Sequence, residues 1–300
     1  MLLRDALRQG LKILTDAQIP SPQLAVELLL MHAVGCTRND LYAHPERELT
    51  PEITTRYFDC IRERLTGKPT QYITGHQEFW GLDIRVTPDV LIPRPETEHV
   101  VETVLDLAKH SGTAFDGRQI SRQTQSGLCI VDVGTGSGCI ALALASELPD
   151  AAILAVDISA AALQVAKDNA LRLGLAHRVQ FIESDLLAWF LGRGEVASFD
   201  FVVSNPPYVG QDELDMVQRE VKQFEPRLAW GGLENGDEVY RRLFPQAQQV
   251  LKSGGYVVVE IGYRMRDSVL GLLGAGWAEI QVRPDLSGIP RVVAARRLKD

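Results

Sequence analysis

The chain has 300 residues, 45% of them apolar, and a formal net charge of −8. That length allows one large or two ordinary domains, and the acidic balance disfavours a protein that grips long duplex DNA by its phosphates. No run reaches the ~18 uncharged apolar residues of a membrane helix, because Glu27 and Asp132 interrupt the two best candidates. Arg4 and Asp5 in the first turn do not fit a signal peptide. The four cysteines, Cys36, Cys60, Cys129 and Cys139, contain no Cys-x-x-Cys pair. They are expected as reduced core thiols of a cytoplasmic protein, with no metal site.

In chain order, Leu3, Ala6, Leu7, Leu11 and Leu14 recur at helical spacing. Ser21-Pro22 and Thr50-Pro51 each set a capping residue before a proline suited to the first helical position, and predict helices closing near Gly35 and Gly67. Within this bundle, His32 and His44 are expected to be packing or surface residues. Pro69 to Gly75 is too broken for a long helix, whereas Glu78-Phe79 and Leu82 to Val86 around Trp80-Gly81 predict a hairpin. The expected organisation is a small helical-bundle domain over 1–75, a β-hairpin linker over 76–90 and an α/β domain over 91–300. Leu91 to Glu98 holds two prolines, followed by acids suited to a helix N-terminus, and Val100, Val101, Val104 and Leu107 continue that helix. Ser111 to Gly127 is polar and aperiodic, a predicted surface loop.

Leu128 to Val133 is a short apolar run, then Gly134-Thr135-Gly136-Ser137-Gly138, then a helix from Ile140. Strand, glycine loop and helix form the layout of a nucleotide site. The spacing is G-x-G-x-G, with Cys139 where a dinucleotide fingerprint needs a glycine or alanine, and Asp132 precedes the loop. A nearby acid suits a charged, phosphate-free ligand group better than a pyrophosphate. The next strand ends at Asp157, placed to accept from ribose hydroxyls. The third ends at Glu183 to Leu186, where Asp185 can accept from an exocyclic amine such as adenine's and Leu186 can pack on the ring. Three acids at three successive strand ends imply a ligand with a ribose, an adenine and a cationic end.

A fourth apolar run, Phe199 to Ser204, stops at Asn205-Pro206-Pro207-Tyr208, since neither proline can donate to a ladder. The side-chain carbonyl of Asn205 and the backbone carbonyl of Pro206 can together accept both hydrogens of a planar amino group, with Tyr208 as a flat face. Such a group is conjugated and weakly nucleophilic, and two acceptors push electron density back onto its nitrogen. Asp212 to Phe224 is polar and expected to be helical or mobile; Glu225-Pro226 and Gly231-Gly232 mark turns. A helix over Glu238 to Leu251 is predicted, kinked or restarted at Pro245. Tyr256 to Ile261, Ala278 to Arg283 and Arg291 to Ala295 are the last strands, the final two as a pair.

Asp132 with Gly134, Gly136 and Gly138, then Asp157, Asp185 and Asn205 to Tyr208, resemble the class I S-adenosylmethionine-dependent methyltransferases that act on amino nitrogens. Further blocks are similar to the release factor glutamine methyltransferases, the HemK-like enzymes: Leu91 to Glu98, Gln71-Tyr72-Ile73-x-Gly75, Glu225-Pro226-Arg227 with Gly231-Gly232, and Asp285 to Val293. The likeness covers nearly the whole chain. It implies a seven-strand Rossmann-like methyltransferase domain behind the bundle and hairpin. It also implies methyl transfer from S-adenosylmethionine, leaving S-adenosylhomocysteine, to the side-chain amide nitrogen (N5) of the glutamine in a release factor's Gly-Gly-Gln motif. By the same resemblance Asn205, Pro206, Pro207 and Tyr208 are catalytic, while Asp132, Gly134, Thr135, Gly136, Ser137, Gly138, Asp157, Asp185, Leu186 and Asn205 bind the cofactor. The partners implied are release factors, without stable nucleic-acid or membrane binding. Two features depart from the family pattern: a longer Ser111–Gly127 loop, and Ala25 where an acid is expected. The rival expectations are an adenine-N6 or cytosine-N4 methyltransferase acting on nucleic acid, a non-catalytic adaptor for release factors or ribosomes, and a dehydrogenase.

Overall fold

The computed structural model describes residues 1–110 and 127–298, so the predicted loop over Ser111 to Gly127 lies outside the described residues except at its last position. The first helices are α1 (Leu3–Asp16), α2 (Pro22–Val34), α3 (Arg38–Ala43), α4 (Pro51–Leu65) and α5 (Thr70–Thr74). A hairpin, β1 (His76–Phe79) and β2 (Leu82–Arg85), precedes a short 3-10 turn at Pro95–Thr97 and α6 (Glu98–His110). Then come β3 (Cys129–Val133), α7 (Cys139–Glu147), β4 (Ala152–Asp157), α8 (Ala160–Arg172), β5 (Val179–Glu183), α9 (Ala188–Leu191) and β6 (Phe199–Ser204). Beyond the tetrapeptide lie β7 (Val209–Gly210), a 3-10 segment at Gln211–Met216, α10 (Arg219–Phe224), α11 (Arg227–Trp230) and β8 (Gly231–Leu233). The chain closes with α12 (Glu238–Val250), β9 (Leu251–Glu260), α13 (Arg266–Gly271), β10 (Trp277–Pro284) and β11 (Pro290–Arg297).

Two compact units result: Met1–His76 with Val217–Phe224, and Gln77–Met216 with Glu225–Asp300. In the first, Leu3, Leu14, Val26, Leu29, Leu30, Tyr57 and Ile61 form a closed core. Thr50 caps α4 as its sequence predicts, accepting from the Ile53 N–H at 3.3 Å. Ser21 does not cap α2: it lies at φ 47 with no side-chain cap bond, and Pro22 alone starts the helix. The helix α3 was not anticipated, although Thr37 and Asp40 form a reciprocal capping box around its first turn. Ala25 is 4% exposed, so an acid there would be buried; Glu27, 1% exposed, is the acid α2 does carry, held by Gln23, Arg38 and Tyr42. In α10, Glu220 pairs at 2.5 Å with Arg64, a buried guanidinium of α4.

The second unit is built on a seven-strand sheet in the order β10-β11-β9-β6-β3-β4-β5. The five strands from β9 to β5 run parallel, whereas β11 pairs antiparallel with both β9 and β10. Strands buried on both faces read as continuous apolar runs, and this is why β3, β6 and the end of β9 were legible. Phe199, Phe201, Val202, Val257 and Val259 are each 1% exposed or less. A single helix, α12, passes through Pro245 without restarting. The hairpin β1–β2 turns at Trp80 and Gly81, both at positive φ. It is tied to α8 by Asn169, whose amide accepts from the Arg85 N–H at 2.8 Å and donates to the Arg85 and Ser137 carbonyls at 2.9 Å. Strand order reverses about β3: β4 and β5 lie to one side and β6 to the other. That switch point opens a crevice at the carboxyl ends of the strands.

Candidate active site

One largely apolar cleft occupies the crevice, and the strand ends deliver polar groups to it. Of the residues singled out in the sequence, Gly134, Thr135, Gly136, Ser137, Asp157, Asp185, Leu186, Asn205 and Pro207 line it. Asp132, Gly138, Pro206 and Tyr208 do not. Residues the sequence did not flag singly also reach it, among them Arg94, Thr97, Ile158, Leu228 and Arg242.

The glycine loop leaves β3 with four of its five amides already committed. Gly134 and Thr135 N–H donate to the Val156 carbonyl (2.8 and 3.0 Å), Gly136 N–H to Asp157 Oδ2 (2.9 Å) and Gly138 N–H to the Thr135 carbonyl (2.8 Å). A loop with those four amides committed is a poor pyrophosphate cradle, because phosphate binding needs free N–H donors. Gly134 and Gly136 lie at φ 71 and 55, and a Cβ on either would stand in open space. Their bare backbone therefore lets a ligand approach closely. Asp132 sits beneath the loop at 0% exposure, where its Oδ2 accepts from the Thr135 hydroxyl at 2.6 Å and from Ala141 N–H at 3.2 Å. Burial pushes its carboxyl up to about 7. It shapes the loop and the start of α7 from behind and does not face the cleft.

Asp157 is held at the end of β4 by backbone donors, Gly136 N–H on one oxygen and Ser159 N–H on the other, both at 2.9 Å. Each carboxylate oxygen keeps a second lone pair for a ligand hydroxyl. Burial raises its proton affinity and the backbone bonds oppose that rise. Asp185 has one oxygen taken by Arg242 at 2.5 Å, so an amine reaching it meets a carboxylate already paired. Leu186 beside it holds φ 52, a left-handed conformation that costs a non-glycine residue of order 1 kcal/mol and marks a loop constrained by its surroundings.

The tetrapeptide follows β6 directly. Asn205 Nδ2 donates to Thr97 Oγ1 at 3.0 Å, and Tyr208 is turned inward with its hydroxyl donating to Glu260 Oε1 at 3.2 Å. The Tyr208 ring packs on the sheet core, so its face braces the loop instead of forming the cleft wall. Gly236 and Gly262 make room for this residue: a Cβ on them would come within 2.4 Å of the Tyr208 carbonyl oxygen and 2.9 Å of its ring. The Leu91–Glu98 segment is anchored by Glu225, whose carboxylate accepts from Ile92 N–H at 3.1 Å and Arg94 Nη2 at 2.5 Å. Sequence signals for the missed partners existed: Glu260 is an acid interrupting the apolar end of β9, and Thr97 stands inside the double-proline block. Among the described residues no cluster of His, Cys, Asp and Glu could hold a metal ion, and no helix is long and apolar enough to cross a membrane.

The same sheet occurs in solved structures. The chain superposes on the hMettl16 catalytic domain in complex with the MAT2A 3′UTR hairpin 6 with a TM-score of 0.53 and 16% identity, over 83% of this chain and 82% of that one. The METTL16 methyltransferase domain gives a TM-score of 0.50 at 18% identity, over 74% of this chain and 91% of that one. The strand order, the glycine loop after β3 and the acid ending β4 define a Rossmann-like methyltransferase. In sequence, residues 5–75 match the PrmC N-terminal domain and residues 118–234 the methyltransferase small domain. A release factor glutamine methyltransferase of Koribacter versatilis is 49% identical over 99% of both chains. Proteins of the same name from Moorella thermoacetica and Chlorobaculum tepidum are 41% and 38% identical, over 100% and 96% of this chain and 100% and 94% of theirs. The chain belongs to the release factor glutamine methyltransferase family.

Proposed function

We propose that this protein transfers a methyl group from S-adenosylmethionine to the side-chain amide nitrogen of the glutamine in the Gly-Gly-Gln motif of peptide chain release factors, working in the cytoplasm. The observation that carries the reading is the placement of Asn205, at the end of β6, in the same cleft as the glycine loop and Asp157. S-adenosylmethionine supplies an electrophilic sulfonium methyl. The cleft suits it chemically: carboxylates, bare glycine backbone and few free amides favour a ribose and a cationic end over phosphates. Asp157 accepts from the ribose, Asp185 and Leu186 serve the adenine, and Gly134 to Gly138 form the wall beside the cationic end, with Asp132 setting the loop from below.

Asn205 Oδ1 accepts from the glutamine amide and holds its nitrogen in line with the methyl group, whereas Pro206 does not line the cleft. Fixing both partners in one geometry removes much of the entropic barrier, where effective molarities reach ~10⁵ M or more. No general base is required, because the N-methylated amide cation sheds its proton to water after transfer. Pro207 fixes the backbone, and Tyr208 anchors it through Glu260. Residues 1–75 are assigned to recognition of the release factor. A nucleic-acid base amine as the acceptor is not favoured: the likeness to an RNA-bound domain extends to the fold alone, whereas full-length relatives share the release factor name.

The test is methyl transfer from labelled S-adenosylmethionine to purified release factor, to its Gly-Gly-Gln glutamine-to-alanine variant and to unmethylated DNA. Label on the wild-type factor alone is the expected result, and label on DNA would move the function to base amines. Asn205→Ala should lower kcat roughly 10²-fold or more, as loss of one transition-state contact does. Normal turnover by that variant would remove Asn205 from the mechanism.

A further inference from the structure

An asparagine amide is nearly symmetric in shape, and only its carbonyl end can accept from a substrate –NH2. Something must therefore decide which end faces the cleft. Thr97 Oγ1 lies 3.0 Å from Asn205 Nδ2 and 2.6 Å from Glu260 Oε2. Tyr208 donates to the other oxygen of the same carboxylate at 3.2 Å. Thr97 and Glu260 are 2% and 1% exposed, so water does not compete for these bonds. The register of the sheet brings the groups together: Ser204 pairs with Val259, which sets Asn205 and Glu260 as the next residues on adjacent parallel strands.

The hydrogen count then settles the orientation. Thr97 has one hydroxyl hydrogen, and an ionised carboxylate can only accept, so that hydrogen goes to Glu260. Towards Asn205 the threonine has only lone pairs to offer. Asn205 must answer with its NH2, which leaves Oδ1 without a partner among the described residues and available to a ligand. We propose that Thr97 and Glu260 are positioning residues, a buried relay that locks the Asn205 amide with its carbonyl towards the substrate nitrogen and pins Tyr208 to the same carboxylate. The relay rests on the reading that Asn205 accepts from the substrate amide.

The relay has a protonation state. Burial raises Glu260 to about 7, opposed by the Thr97 and Tyr208 bonds and by Arg291, and reinforced by Glu96. Tyr240, from α12, donates to the Glu260 backbone carbonyl, and the Cys139 thiol of α7 also senses its charge. A proton on the carboxylate removes one of its two acceptor positions. The Thr97 hydrogen can then turn to Asn205, which favours the flipped amide with NH2 towards the cleft. Turnover should therefore rise with pH through about 7.

The experiment measures kcat and KM for labelled methyl transfer to purified release factor by the wild type and by Thr97→Val, Thr97→Ser, Glu260→Gln and Asn205→Ala, with thermal unfolding of each. Thr97→Val should lower kcat roughly tenfold or more with little change in KM, the scale of one lost buried hydrogen bond, and Thr97→Ser should restore most of it. Glu260→Gln should lose the limb of the pH–kcat profile near 7. Thr97→Val within twofold of wild type, while Asn205→Ala is severely impaired, would overturn the relay and spare the reading beneath it. Full activity of Asn205→Ala would overturn both. If Thr97→Val does not fold, the Glu260→Gln profile decides: a lost limb supports the relay, a retained one overturns it.

Discussion

Asp157 and Asp132 are both acids at the glycine loop, yet the structure gives them opposite surroundings. Asp157 reaches the cleft, and Asp157→Ala should weaken S-adenosylmethionine binding far more than it slows turnover at saturation; calorimetric titration showing unchanged affinity would count against a ribose contact. Asp132 is sealed, with its Oδ1 lacking a hydrogen-bond partner among the described residues. Its carboxyl is raised from 3.8 to about 7, so its contribution to stability is fully present below 3.8 and is lost as pH rises through 7. Between pH 5 and pH 8 the wild type should therefore lose on the order of 2–3 kcal/mol relative to Asp132→Asn, at 1.36 kcal/mol per pH unit. Urea unfolding of the two proteins at both pH values measures this directly, and a pH-independent gap would show that the carboxyl is not shifted. At this scale the sequence reveals which polar residues end the apolar runs, because the buried strands stop where those runs meet a polar turn. It does not reveal that Arg242 occupies Asp185 from 57 residues away, or that Glu260 holds Thr97 from a separation of 163. Those pairings depend on strand order, which no local pattern encodes.

Elements whose identity follows from local chemistry were the legible ones. The strands β3, β4, β5 and β6 are apolar runs bounded by polar turns, and the Trp80-Gly81 turn marks the hairpin. The short helices α11 and α13 carry no cap bond from a side chain and span six residues or fewer, so little in their sequence separates them from loop. The Gly231-Gly232 pair reads only as a turn, but β8 lies directly against β7, and a Cβ on Gly231 would come 2.5 Å from Val209. Nearby, Gly236 at φ 87 leaves space for the Tyr208 carbonyl. Gly236→Ala should destabilise the protein by roughly 1–3 kcal/mol and also lower kcat by shifting the tetrapeptide. Gly81→Ala is the control: its φ is 71 but nothing lies within 4 Å, so only a backbone cost of about 1 kcal/mol is expected and kcat should hold. Equal effects of the two substitutions on turnover would show that crowding at Tyr208 is not what Gly236 relieves.

At the scale of the whole molecule, neither unit is one continuous stretch of chain. The sequence marks Asp212 to Phe224 only as polar and helical or mobile, whereas the structure places Val217–Phe224 in the unit of the first 76 residues. Polar composition cannot show this, since the ion pair that ties the segment in joins a half-buried Glu220 to the buried guanidinium of Arg64, 156 residues away. Removing one partner of a buried pair leaves the other charge uncompensated. Glu220→Ala should accordingly lower the stability of the first unit by roughly 3 kcal/mol, seen as an earlier transition in scanning calorimetry. An unchanged transition would mean that Lys68, whose carbonyl Arg64 also reaches at 3.1 Å, suffices alone. The same discontinuity bears on synthesis at the ribosome. A chain emerging at roughly 5–20 residues per second delivers Arg64 long before Glu220, a lag of roughly 8–30 s. The helices made first must wait for a late segment before they can bury that guanidinium, so the opening portion of the polypeptide is among the last to reach its finished state.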